Sequence, residues 1–171
     1  MDITTDVILS GNDWDYVIDD FKGKFFETQW QIFVLCAAIG IKDDKVITQK
    51  SNSKESRNYI PRTVLLRPDN NNLLDLMFQS AILTSKQISL DENKRLELAF
   101  DENETTEKFN KIGFIVEFAN YGVKKIRECI SESNNDIETM SLLKDYLENS
   151  YISLNNGTSL IGSEEDYELS D

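Results

Sequence analysis

The stretch 25–41, which reads FFETQWQIFVLCAAIGI, places the strongest constraint on how this chain can fold. No charged residue interrupts the part from 30 to 39, so a helix formed there has no face that suits water. A helix that is apolar all round belongs in the middle of a hydrophobic core. The apolar run is also too short to span a membrane, which takes about 20 residues. We therefore predict a buried central helix at 28–39.

Two local signals set the predicted ends of this helix. Thr28 and Gln31 have the spacing of a capping box, in which each side chain satisfies a backbone N–H group of the first helical turn. Gly40 follows the apolar run, and glycine most often takes the left-handed conformation that ends a helix. The sequence thus predicts that the central helix begins at Thr28 and ends before Gly40.

Most of the remaining chain repeats apolar residues at three- and four-residue steps, the spacing of helices that bury one face. Such segments cover 69–83, 91–100, 109–119, 123–130 and 136–147. The short run 14–18 fits a strand or a helical turn, and we prefer the helix. The predicted fold class is mainly α, a single-domain helical bundle around the central helix 28–39.

The segment 42–67 differs in character, because it carries seven basic residues against three acidic ones, a net charge of +4. Two short apolar runs, 46–48 and 63–66, flank a polar stretch typical of an exposed loop. These runs fit either two strands of a small β-ribbon within 45–67 or extended coil held against the core. The sequence leaves both interpretations open.

The charge of the chain is concentrated at its ends. The formal net charge is −13, of which 1–20 contributes −6 and 134–171 contributes −8, whereas 21–133 sums to +1. We therefore predict an acidic N-terminal segment at 1–20, a helical core domain at 21–150 and an acidic, flexible tail at 151–171. Net charge of this kind bears on solubility and partner choice rather than on fold.

The two cysteines indicate a reduced environment. Cys36 lies inside the apolar helix, and Cys129 lies in a predicted helical segment, so both are expected to be free thiols that pack like small hydrophobic side chains. The first residues are acidic and lack the basic region of a signal peptide. These features predict a cytoplasmic protein that does not interact with a membrane.

The residue inventory argues against an enzyme. The chain contains no histidine, which removes Ser-His-Asp and Cys-His catalysis and histidine metal sites. Its seven glycines form no phosphate-binding loop, and its acidic clusters match no calcium loop. We therefore expect no catalytic residues, no cofactor, no bound metal and no small-molecule ligand.

Two groups of residues are candidate contacts with a partner. Basic residues interleaved with an aromatic ring can hold a phosphate backbone and stack on a base. In the segment 42–67 these residues are Lys50, Lys54, Arg57, Tyr59 and Arg62. Phe25 and Phe26 precede the central helix and could anchor a protein, because large aromatic residues dominate interfaces. Each group also has a plainer interpretation, a soluble lysine-rich loop and part of the core, respectively.

A family resemblance rests on two short motifs. The first is Phe26-Glu27-Thr28 leading into a helix that closes with AAIGI at 37–41, followed by the basic segment. The second is EFANYGV at 117–123, in the form E-x-A-N-x-G. Over 21–130 the chain resembles the small accessory proteins associated with bacterial DNA phosphorothioation (Dnd) systems, while the helix and tail after 134 lie outside this pattern. Asn120 and Gly122 both tolerate positive φ, so we expect them to end or bend their helix.

The resemblance implies a non-catalytic accessory subunit of a bacterial anti-phage defence system linked to DNA modification. Its expected partner is a protein from the same operon, such as a nuclease, a helicase or an ATPase. Two alternatives remain open. The segment 42–67 could contact nucleic acid weakly, or the acidic ends could imitate DNA and inhibit a DNA-binding protein.

Overall fold

A computed structural model describes residues 1–48, 58–100 and 109–158, and its fold is mainly helical. Helices account for 68% of the structure, and a small two-stranded antiparallel sheet completes it, so the predicted mainly α single-domain fold class is confirmed. The residues group into two compact units, Met1–Glu128 and Cys129–Asp171. In chain order the elements are β1 (Val7–Leu9), α1 (Asn12–Phe21), α2 (Gln29–Asp43), β2 (Asn58–Ile60), α3 (Arg62–Leu65), α4 (Pro68–Thr84), α5 (Glu92–Phe100), α6 (Lys111–Ile130) and α7 (Asp136–Thr158).

The central helix predicted at 28–39 is α2. Thr28 caps it, and both bonds of the capping box are present, one from the backbone N–H of Gln31 to the Thr28 hydroxyl and one from the backbone N–H of Thr28 to the Gln31 side chain. Most of its apolar side chains are buried, although Ala38 is exposed. The predicted C-terminal end was too early, because α2 continues through Gly40 to Asp43.

Asp44 ends α2 in place of glycine. Its φ of 48° is left-handed, and its backbone N–H donates to the carbonyls of Gly40 and Ile41. Its carboxylate accepts hydrogen bonds from the Ser85 hydroxyl (2.5 Å) and the Lys86 N–H (2.9 Å). Burial raises the pKa of the Asp44 carboxyl, but these hydrogen bonds and the neighbouring Gln87 outweigh it and hold the pKa below its usual value.

The two glycines of the resemblance motifs meet where α2 crosses α6. A β-carbon at Gly122 would lie 2.5 Å from the carbonyl carbon of Cys36, and one at Gly40 would lie 2.6 Å from the carbonyl carbon of Phe118. Both distances are too short for any side chain, so glycine is required by the close approach of two backbones. Gly40 and Gly122 therefore fix how closely α2 and α6 pack.

The expectation that Asn120 and Gly122 end their helix is wrong, and neither residue has a positive φ. The helix α6 runs without a break from Lys111 to Ile130. Among the described residues, positive φ occurs at Gly11, Gly23 and Asp44. The motif at 117–123 serves packing in mid-helix instead.

Asn120 joins three parts of the first unit through its buried amide. The indole N–H of Trp14 donates to Asn120 Oδ1 (2.9 Å), and Asn120 Nδ2 donates to the carbonyl of Ile47 (3.1 Å). The Ile47 N–H donates to the carbonyl of Glu117 (2.9 Å). Residues 46–48 are thus extended coil attached to α6, because the backbone polar groups of Ile47 find their partners on that helix.

The predicted ribbon within 45–67 is therefore wrong in its pairing. The run 63–66 is largely helical, since α3 follows Pro61 and the backbone N–H of Arg62 donates to Asp6 Oδ1 (2.7 Å). A ribbon does form, but its second strand, β2, pairs with β1 near the N-terminus. The register places Val7 opposite Ile60, Ile8 opposite Tyr59 and Leu9 opposite Asn58.

The acidic segment 1–20 contributes to the core of the first unit. Its acidic residues alternate with apolar side chains, several of which are fully buried. Those with no exposed surface are Ile3, Leu9, Trp14 and Val17. The run 14–18 lies within α1, so the preference for helix there is confirmed.

The second unit contains the end of α6 and the helix α7. The side chain of Asn135 caps α7 by accepting hydrogen bonds from the N–H groups of Ile137 (3.1 Å) and Glu138 (3.0 Å). The thiol of Cys129 donates to the carbonyl of Leu142 (3.3 Å) within the same unit. No helix in the described ranges has both the length and the apolar character that a membrane span requires.

Candidate functional site

A groove with a volume of about 580 Å³ opens between the start of α2, the strand β2 and the starts of α3 and α4. We call it the ribbon groove. Its lining residues are Lys22, Glu27, Thr28, Gln29, Trp30, Gln31, Tyr59, Ile60, Pro61, Val64, Arg67, Asp69 and Asn70. It brings one sequence-predicted contact residue, Tyr59, beside the beginning of the central helix.

The lining side chain of Trp30 is held rigidly. Trp30 lies in the first turn of α2 and is buried, with its ring centroid 6.0 Å from that of Phe33. Trp30 is 9% exposed, so the groove reaches only a small part of an aromatic side chain that is otherwise packed in the core. A rigid apolar surface loses little conformational entropy when a ligand covers it.

Two amide side chains fix the position of β2 beside this surface. Gln29 Nε2 donates to Asn58 Oδ1 (2.9 Å), and Asn58 Nδ2 donates to Asp15 Oδ1 (2.7 Å). The strand is thereby tied to both α1 and α2 at the residue that precedes Tyr59. Tyr59 projects from an anchored strand.

The outer face of the ribbon carries a pair of exposed apolar side chains. Ile8 and Tyr59 lie directly opposite each other in the register, and each is well exposed, at 62% and 53%. Cross-strand neighbours on one face are close enough to contact a single ligand group together. Ile8 thus extends the apolar surface beyond the ribbon groove.

The charges in the ribbon groove are balanced. Lys22 and Arg67 contribute two positive charges, and Glu27 and Asp69 contribute two negative ones. The capping box also occupies the Gln31 N–H, which donates to the Thr28 hydroxyl (3.4 Å). The N–H groups of Glu27 (2.9 Å) and Thr28 (3.1 Å), just before the helix, donate to the Gln31 side chain. A phosphate prefers free N–H groups and excess positive charge, so this site suits a mixed apolar and polar surface better.

The other predicted contact residues lie in different settings. Arg62 Nε donates to the carbonyl of Ile3 (2.6 Å), which directs that group towards the backbone of the first unit. Phe25 and Phe26 are half-buried, and their rings pack on Phe21 with centroid distances of 5.5 and 5.8 Å. Lys50, Lys54 and Arg57 lie outside the described residues.

Two residues of this surface, Ile8 and Arg67, carry no sequence pattern that marks them as contacts. Trp30 stands beside Phe25 and Phe26 in the sequence and could anchor a partner with them, although the sequence favours a core position, and the structure buries it. Ile8 stands between Val7 and Leu9 in β1, and the alternation of side chains along a strand exposes it while its two neighbours are buried. All three residues are apolar, so the sequence does not mark which face is exposed. The position of Arg67 depends on the tertiary fold.

The described part of the chain shows few features of reactive chemistry. Burial raises the pKa of the Cys36 thiol far above its usual value, which keeps it protonated and unreactive. Burial and the nearby Asp43 carboxylate raise the pKa of the Tyr121 hydroxyl. Within residues 1–48, 58–100 and 109–158, no three cysteine, aspartate or glutamate side chains come together in a way that could hold a metal ion.

A second cavity, of about 330 Å³, lies between the segment after α2 and the start of α6. Its lining includes Val46, Ile88, Phe109 and Phe114. The structure places none of the sequence-predicted contact residues there.

The chain matched no protein-family model, no curated protein and no solved structure in comparisons with each of these sets.

Proposed function

We propose that this chain is a non-catalytic accessory subunit that acts by binding another protein through the ribbon groove and the Ile8–Tyr59 pair. The observation that carries the proposal is this exposed cross-strand pair beside a groove lined by Trp30. A few residues provide most of the binding energy in protein interfaces, and large aromatic side chains such as Tyr and Trp are enriched among them.

The setting of the proposal comes from the family resemblance. The motifs at 26–41 and 117–123 resemble accessory proteins of bacterial DNA phosphorothioation systems, so the proposed partner is a DNA-processing or ATPase protein of an anti-phage operon. Such partners carry basic surfaces for DNA. The net charge of −13 would favour their association, mainly by raising the association rate and selecting the partner.

The balance of charges in the ribbon groove makes a protein ligand a better proposal than nucleic acid. A nucleic-acid site gains its affinity from an excess of Lys and Arg over acidic residues. Lys22 and Arg67 are matched here by Glu27 and Asp69, so the groove has no excess of positive charge.

Affinity purification of the tagged chain from its native host, with mass spectrometry of the co-purified proteins, tests the proposal. The variant Ile8→Thr/Tyr59→Thr keeps residues that favour a strand but removes the apolar pair. The control Leu76→Gln/Leu96→Gln removes two exposed apolar side chains from helices elsewhere. Because a hot-spot side chain contributes about 2 kcal/mol or more, the ribbon variant should lose the partner while the control retains it.

Two results would refute this function. One is recovery of the same partner in equal amounts by the ribbon variant and the control, which would show that the surface is not the contact. The other is hydrolysis of a nucleotide or a nucleic acid by the purified chain alone, which would show that the chemistry belongs to this chain and not to a partner.

A further inference from the structure

The helix α7 carries an exposed apolar stripe that the second unit does not use for its own packing. Ile137 is 85% exposed and Tyr151 is 66% exposed, and Met140 and Leu147 between them are also exposed. With Lys144 these residues follow one another at steps of three, four, three and four. We call the five residues the α7 seam.

The α7 seam has the spacing of a coiled-coil interface. Steps of three and four residues place side chains at alternate a and d positions of a heptad, which form one nearly straight line along a helix. At about 100° per residue, the five positions fall within about 80° of the helix circumference. A second helix could contact all of them at once.

This stripe is distinct from the side of α7 that is already packed. Thr139 and Leu143 are buried, and Leu142 and Tyr146 are half-buried. On the same helical wheel these residues lie to one side of the α7 seam. The helix therefore has one side that is buried and an apolar stripe that remains exposed.

Charge beside the α7 seam indicates the chemistry of its ligand. Asp145 and Glu148 are exposed and lie along its other border. Within the seam, Lys144 Nζ lies 3.6 Å from Glu148 Oε1. Both side chains are exposed, so this ion pair contributes little to stability. A partner helix with basic residues facing Asp145 and Glu148 would complement this border.

A second copy of the chain fits this surface less well. Pairing two copies of α7 would bring together two helices with acidic borders, and each chain carries a net charge of −13. Like charges along the borders of a coiled coil oppose pairing and select other partners. The charges thus favour a basic partner over self-association.

We propose that the α7 seam is a docking site for an amphipathic helix of a partner protein, with apolar residues at heptad spacing and Lys or Arg along the edge facing Asp145 and Glu148. A polar or acidic residue of that helix lies opposite Lys144 and sets the register, as single polar a positions do in coiled coils. This site lies in the second unit and does not depend on the ribbon groove.

The test uses the full chain and a synthetic helical peptide as the probe. The peptide has leucine at its a and d positions, one glutamate placed to face Lys144, and lysine along its flanks. Fluorescence anisotropy of the labelled peptide should show binding that Leu147→Ser/Tyr151→Ser weakens by roughly tenfold or more, because two exposed apolar contacts are lost. Circular dichroism of the variant should be unchanged.

Three comparisons make the result specific. Leu76→Ser/Leu96→Ser removes exposed apolar side chains elsewhere and should leave peptide binding unchanged, and so should Ile8→Thr/Tyr59→Thr. The charge reversal Asp145→Lys/Glu148→Lys should weaken binding and make the affinity less sensitive to salt concentration than it is for the wild type. The last comparison separates a specific acidic border from general attraction to an acidic chain.

Several outcomes would overturn the proposal. One is equal peptide affinity for the wild type and Leu147→Ser/Tyr151→Ser. Another is a dimer in sedimentation analysis that this double variant dissociates, since a second copy would then be the occupant. A third is much tighter peptide binding after deletion of 159–171, which would make the chain's own tail the occupant.

Discussion

Replacing Gly122 with alanine should destabilise the first unit, and the reason lies in the distances at the α2–α6 crossing. The new β-carbon would lie 2.5 Å from the carbonyl carbon of Cys36 and 2.8 Å from its α-carbon. Carbon atoms in ordinary contact are about 3.5–4.0 Å apart. The two helices must therefore separate by about 1 Å, because a backbone cannot move aside by changing a rotamer.

Two opposing effects determine the net change in the free energy of unfolding. Alanine favours a helix over glycine by about 1 kcal/mol. Overpacking a close-packed site costs about 1–3 kcal/mol and occasionally more, and a backbone obstacle belongs at the upper end of that range. We expect Gly122→Ala to lose about 2 kcal/mol of stability, a substantial part of the roughly 5–15 kcal/mol that holds a domain folded.

Urea unfolding monitored by far-UV circular dichroism measures this loss. Gly113→Ala is the matched control, since its β-carbon would meet the side chain of Asn110, which can rotate away at the cost of a helix cap. The lost cap and the gain in helix propensity nearly cancel, so we expect a net change within about 1 kcal/mol.

The partner glycine provides a second check on the mechanism. Gly40→Ala acts on the same crossing, with its β-carbon 2.6 Å from the carbonyl carbon of Phe118. Once one substitution has separated the helices, the second should cost less, so the double variant should lose less stability than the sum of the two single variants. A Gly122→Ala protein as stable as the wild type, or strictly additive losses, would refute the close-approach argument.

Three further predictions concern Asn120, Asp44 and Cys36. Asn120→Leu should lose about 2–4 kcal/mol in urea unfolding, because the Trp14 indole N–H and the Ile47 carbonyl are left without their partner; a loss below 1 kcal/mol would contradict this. The lowered pKa of Asp44 means that its stabilising effect is present above the unfolded-state pKa of about 4 and is lost as pH falls through the folded value. The unfolding free energy of Asp44→Asn should therefore fall less than that of the wild type on acidification. Equal slopes of unfolding free energy against pH for the two proteins would contradict a stabilising role of the Asp44 carboxylate. Cys36 should resist iodoacetamide in the native state and react only on unfolding, as peptide mapping by mass spectrometry can establish; rapid native labelling would contradict its burial.

The sequence predicted the helices well, because their signals are local. The capping residues of α2 lie three positions apart, and the apolar periodicity of α4 and α6 repeats every few residues, so each is visible within a short window. The pairing of β1 with β2 could not be seen in this way. The strands are short and lie about fifty positions apart in the sequence, and their register depends on the tertiary fold.

The candidate site was only partly predictable for the same reason. Tyr59 was selected because it stands among basic residues, but the structure places it beside Trp30 and opposite Ile8. Those two contacts come from distant parts of the chain. The roles predicted for Lys50, Lys54 and Arg57 remain predictions.

The residues that carry the family resemblance have structural roles in this molecule, and this determines what the resemblance can say about function. Gly40 and Gly122 set the α2–α6 distance, and Asn120 joins α6 to Trp14 and Ile47 through buried hydrogen bonds. A motif built from such residues constrains a helix crossing, and proteins that share it would share this packing without sharing a ligand. Ile8 and the α7 seam lie outside the segment 21–130 that the resemblance covers. The proposed contacts at those two places must therefore be tested on this chain itself.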